Sequence, residues 1–118
     1  MIDIQVLILV MFVHFVSDFV LQTRWMATNK STSNVALFTH IIVYMIPLSL
    51  IFGFTFAVIN GMLHYVVDYF TSRGTSYYWK KQETHKFFII IGLDQFLHFV
   101  CLLLTYKFID YQVIEFFK

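Results

Sequence analysis

From Val35 to Phe70 the chain is apolar for about 36 residues, close to twice the ~20 that carry an α-helix across a bilayer core. One helix of that length overshoots a core of about 30 Å, so the stretch must fold back on itself. Gly53, within Leu50–Thr55, supplies a turn. Asn60–Gly61 has stronger turn chemistry, but a break there leaves a third helix of only about a dozen residues, too short to span. Apolar stretches from Ile4 to Gln22 and from Phe87 to Tyr106 complete the set. The expectation is an all-α, integral-membrane four-helix bundle, a single domain over residues 1–118 with spans at about 4–22, 34–52, 55–72 and 87–106. Pro47 falls inside the second helix and should kink it.

Composition agrees with a membrane class. Hydrophobic residues make up 59% and charged residues 13%, against about 45–50% and about 25% in soluble domains. A net charge of +1 without a clustered basic face excludes a nucleic-acid partner. Cys101, the single cysteine, excludes an internal disulfide and a cysteine-built zinc cage, and in its apolar run it reads as inert. The N-terminus, Met-Ile-Asp-Ile-Gln, lacks a basic region and no small-residue cleavage site follows, so no cleaved signal peptide is expected.

Four spans place Arg24, Lys30, Arg73, Lys80, Lys81 and Lys86 on one side and Lys107 and Lys118 on the other. Six against two puts the connections in the cytoplasm and the termini outside it, in the inner membrane of a bacterial host. Trp25, Tyr77, Tyr78 and Trp79 flank the cytoplasmic ends, and Tyr106 and Tyr111 the far end, as an aromatic belt does. Thr75 to His85 reads as a short segment lying along the interface, with His85 solvated.

Two of the expected helices carry one pattern, His-aromatic-Val-x-Asp-aromatic: His14 to Phe19 and His64 to Tyr69, each followed by an arginine, Arg24 or Arg73. The helices run in the same direction, which suggests two similar helix pairs related by an axis along the membrane normal. A carboxylate at the centre of a membrane helix costs about 2.5–3.5 kcal/mol on insertion scales, so such groups line cavities or pair with one another. This chain has three, Asp18, Asp68 and Asp94, together with His14, His40, His64 and His98.

Residues four apart share a helix face, so His14 with Asp18, His64 with Asp68 and Asp94 with His98 each present an imidazole beside a carboxylate. The third pair is reversed on a helix running the opposite way, which keeps every Asp nearer the cytoplasm. At ~1.5 Å per residue the seven groups lie about 6–16 Å from the cytoplasmic helix ends, all in one half of the bundle. Such a cavity has the ligands for one or two divalent transition metals, zinc or manganese foremost, with His40 as ligand or general base. Ser17, Gln22, Gln95 and Asn60 are candidates to orient the ligands, and Arg24 and Arg73 to hold an anionic head group at the mouth.

Paired metals activate water and clamp a phosphoester undergoing in-line attack, which suggests a metal-dependent hydrolase with a phosphorylated or lipid-linked substrate and membrane lipid as its surroundings. The same residues would also serve a non-enzymatic membrane protein, as an ion or proton path, as a helix-fastening polar network or in binding a host partner. The sequence leaves the oligomeric state open, a homo-oligomer included.

The run His14-Phe-Val-Ser-Asp18-Phe19-Val-Leu21-Gln22, then Lys30 and His40, His64-x-x-x-Asp68 and Asp94-Gln95-x-x-His98, resembles an uncharacterised family of small phage and bacterial integral membrane proteins. The resemblance spans most of the chain, and Asp-Phe-x-Leu-Gln is its most specific part. That family is similar to the LexA-regulated inner-membrane group described as metal-dependent hydrolases, which implies a membrane location and metal-dependent hydrolysis. More distantly, the pairs resemble the helical His-x-x-x-Asp and His-x-x-x-Glu ligands of bacterial zinc phospholipases C. The chain lacks the additional histidines and the N-terminal tryptophan ligand of those enzymes.

Overall fold

The computed structural model describes residues 2–108, and every regular element among them is helical. Asp3 caps α1 (Ile4–Phe15), its carboxylate accepting the Gln5 N–H at 2.9 Å. The helix then widens into a π turn, Val16–Val20, closed by the Leu21 N–H donating to the Val16 carbonyl at 2.9 Å. Thr23 caps the short α2 (Arg24–Asn29) and Ser33 caps α3 (Asn34–Phe52), each accepting a backbone N–H at 3.2 Å. Pro47 lies inside α3.

The long apolar stretch breaks at Gly53, whose φ of 99° and ψ of 160° are open to glycine and costly for other residues. From there α4 (Phe54–Lys80) runs past Asn60–Gly61 without a turn. Glycine at 61 serves helix packing instead: a Cβ there would sit 2.6 Å from Met45 Sδ on α3. Asn60 donates to the Phe56 carbonyl at 3.0 Å and to the Thr105 hydroxyl at 2.8 Å.

Thr75–Lys80 continues α4 where a separate interfacial segment was expected. Gly74 faces Ile90 of α5, and the Ser76 hydroxyl bonds that of Ser31 at 2.9 Å, which ties this stretch to a neighbouring segment. It ends at a turn in which Gln82 takes φ 59° and the Glu83 N–H returns to the Tyr78 carbonyl at 3.0 Å. α5 (Thr84–Phe108) follows. Tyr111 and Lys118, assigned above to the far side, lie outside the described residues.

α4 packs along both α3 and α5, while α1 rests more lightly on α3 and α5. The interior has two halves. Towards Gly53 it is dry: Leu48, Phe52, Phe56 and Leu102 are fully buried, with Val10 and Val13 beside them. Towards Lys30 it is polar, and His14, Ser17, Asp18, His40, His64, Asp68 and His98 are buried. The outer surface is the reverse, with Phe12, Phe38, Phe54, Phe70 and Phe96 exposed. α3 and α5 are each long and apolar enough to cross a membrane, and Ile4–Val20 is apolar but shorter.

Candidate metal centre

The polar half gathers candidate ligands from three segments. Asp18 comes from the π turn, His40 from α3, and His64 and Asp68 from α4. His40 Nε2 lies 3.1 Å from Asp18 Oδ1 and 3.2 Å from His64 Nε2, and His64 Nε2 lies 3.4 Å from Asp18 Oδ1. Asp68 Oδ2 stands 3.6 Å from His40 Nε2 and 3.9 Å from His64 Nε2.

Ligands bound at about 2.0–2.1 Å to a tetrahedral metal are separated by about 3.3–3.4 Å, so the triangle of Asp18, His40 and His64 already has the edges of a coordination shell. Hydrogen bonding cannot satisfy that triangle, because one proton serves one edge and leaves the other lone pairs facing each other. Nδ1 of both His40 and His64 is buried without a hydrogen-bond partner, and it is the atom that would carry the proton with Nε2 turned to an ion. A divalent cation at the centre satisfies all the inward-facing atoms together, and imidazole and carboxylate suit zinc or manganese. The residues present fit such an ion.

Asp94 and His98 of α5 stand beside this cluster. Their facing atoms are 3.0 Å apart, and the His98 ring stacks on His64 with centroids 3.8 Å apart. His64, Asp68 and His98 form one further group with ligand atoms within 4.8 Å of one another, and Asp18, Asp94 and His98 form another. Asp18, His64 and His98 are thus each shared between two groupings that could hold an ion.

His14 takes a different place from the one its spacing suggests. Its Nδ1 accepts from the Tyr44 hydroxyl at 3.0 Å, and its Nε2–H donates to Gln95 Oε1 at 2.9 Å. The Gln95 amide donates in turn to Asp94 Oδ2 at 2.9 Å. With both nitrogens committed, His14 supports the ligands through a hydrogen-bond chain and stands 3.6 Å from Asp18 Oδ2. Gln95 has the orienting part expected of it. Asn60 does not, because its amide bonds Phe56 and Thr105.

A cavity of about 190 Å³ opens over the cluster. Asp18, Asp68 and Asp94 line it with Gln22, Lys30, Thr71, Ser72, Thr75 and Gln95, and Phe19, Phe87 and Ile91 form its apolar wall. The imidazoles lie behind the carboxylates and outside the lining, the vertical order read from the sequence. His40 is fully buried and does not line the cavity.

Arg24 and Arg73 do not line the cavity. Arg24 is exposed in the first turn of α2, and Arg73 is folded over the Tyr69 ring at 3.5 Å while donating to the Tyr69 carbonyl at 2.9 Å. The lining cation is Lys30, whose ammonium meets Asp68 at 2.9 Å and 3.2 Å. Tyr44, Thr71 and Ser72 were also missed, although their positions four after His40 and three and four after Asp68 put them on the ligand faces. Thr71 donates to Asp94.

An all-helical chain with a buried His/Asp cluster is thus the class that fold and site define. Residues 6–116 match the family described as a protein of unknown function, DUF3307, and the chain belongs to that family. No curated protein and no solved structure matches it.

Proposed function

We propose that this chain is an integral membrane protein of four spans that binds one or two divalent transition metals and hydrolyses a phosphoester on a phosphorylated or lipid-linked substrate. The observation that carries the metal reading is the set of Asp18, His40, His64 and Asp68 atoms turned inward at 3.1–3.9 Å. What supports membrane embedding is the outward display of Phe12, Phe38, Phe54, Phe70 and Phe96 around a buried polar cluster, a display that water would penalise over so many neighbouring positions. The basic-residue asymmetry supports a cavity facing the cytoplasm and termini outside it.

A bound metal ion would supply Lewis acidity and a water of lowered pKa. The chain's part is to hold the ligands rigidly, to leave a wet cavity in front of them and to take up a proton there on a lining carboxylate. In the reaction a water oxygen bonds to phosphorus, the phosphorus–oxygen bond to the alcohol breaks, and the alcohol leaves with a proton. An ion path is the weaker reading, because Leu48, Phe52, Phe56 and Leu102 seal the interior below the cluster.

Metal content of protein purified without chelator, measured beside phosphate release from a panel of phosphoesters, tests the proposal. One or two equivalents of zinc or manganese and metal-dependent phosphate release are expected. Metal-free protein overturns it.

A further inference from the structure

The cavity is asymmetric. Its floor is charged, with three carboxylates and Lys30, yet its side wall is apolar, with Phe19 of the π turn on one edge and Phe87 and Ile91 of α5 on the other. Phe19 lines the cavity and is also 49% exposed on the outer surface. The π turn packs on α3 and α5 packs along α4, while α1, which leads into the π turn, also meets α5, so this wall lies along a seam between the π turn and α5.

Three carboxylates against one lysine leave the lining with two negative charges in excess, and two divalent cations reverse this to two positive charges, the complement of a phosphate monoester. Ser72 also lines the cavity, its hydroxyl buried and without a hydrogen-bond partner. The cavity's 190 Å³ is many times the ~10–15 Å³ that one water requires, room for a phosphate group.

Resting on the membrane and metal reading above, we propose that the site takes the phosphate-monoester head group of a membrane lipid, admitted sideways between the π turn and α5. Lys30 holds the phosphate, and Phe19, Phe87 and Ile91 pack on the first carbons of the tail.

The test is photocrosslinking in zwitterionic nanodiscs, using phosphatidic acid with a diazirine near the head-group end of one acyl chain. Labelling at Phe19 and at Phe87–Ile91 should exceed that at Phe38 and Leu50 about tenfold. At metal loading matched to the wild type, Lys30→Ala should lower the seam labelling about tenfold, the loss of one charge-assisted hydrogen bond, and Lys30→Arg should restore it. Equal seam labelling by a phosphatidylcholine probe, uniform labelling around the bundle, or indifference to Lys30→Ala overturns the proposal. So does full protection by inorganic phosphate at the probe's own concentration, which would make free phosphate the ligand. Metal analysis of the same samples separates the two levels: metal present without seam labelling overturns lateral lipid entry alone, whereas metal-free wild-type protein overturns the metal reading and this inference with it.

Discussion

The two copies of the His-x-x-x-Asp motif have the same spacing and different fates. On α4 the backbone between His64 and Asp68 is regular α-helix, and both side chains turn into the cluster, 3.9 Å apart. On α1 the π turn begins at Val16, between the two motif residues, and adds a residue to the local hydrogen-bond register. Asp18 is thereby aimed at His40 and His64, while His14 is bound by Tyr44 and Gln95. Spacing in the sequence puts an imidazole and a carboxylate on one face, but backbone register and neighbouring helices decide what each of them meets.

The comparison is broken most severely at the ligands. His64→Ala removes an atom from the centre of the set, and metal affinity should fall by more than about a hundredfold in a titration with a competing chelator, beyond the range typical of supporting residues. Metal binding should also be visible as stability. At free metal about 100 times Kd, thermal or denaturant unfolding in detergent should show about 2.7 kcal/mol of stabilisation in the wild type and none in His64→Ala. His14→Ala should lower affinity about 10–100-fold without abolishing binding, because it cuts the chain through Gln95 to Asp94 and leaves every ligand in place. The smallest effect is expected at Asn60→Ala. Loss of the bond to Thr105 should cost about 0.6 kcal/mol in the same unfolding assay and leave metal affinity unchanged.

Much of this was legible in the sequence because lipid-like surroundings make charge conspicuous. Asp18, Asp68 and Asp94 stand in apolar stretches, and the imidazoles four residues away follow helix periodicity, so the cluster's membership could be read directly. Gly53 as the break followed from length arithmetic, which outweighed the better turn residues at Asn60–Gly61. Tertiary contact decided what stayed hidden. Gly61 makes room for Met45, and nothing local distinguishes that use from a turn. Thr75–Lys80 looked detachable from α4, yet the helix runs on through it and Ser76 is hydrogen-bonded to Ser31. Arg24 and Arg73 follow the motifs closely in sequence, but one heads a short exposed helix and the other folds back on Tyr69, whereas Lys30 reaches the cavity from the far end of α2. The π turn has no signature in Val16–Val20, and the hydrogen bonding of His14 to Tyr44 and Gln95 was invisible.

The most direct measurement is the metal content of wild-type, His14→Ala and His64→Ala protein, purified side by side without chelator and quantified by elemental mass spectrometry. The expected result is metal in the wild type, a reduced but definite amount in His14→Ala and none in His64→Ala. Metal-free wild type, or equal loss in the two histidine variants, would contradict the assignment of ligand and supporting roles to the two copies of the motif.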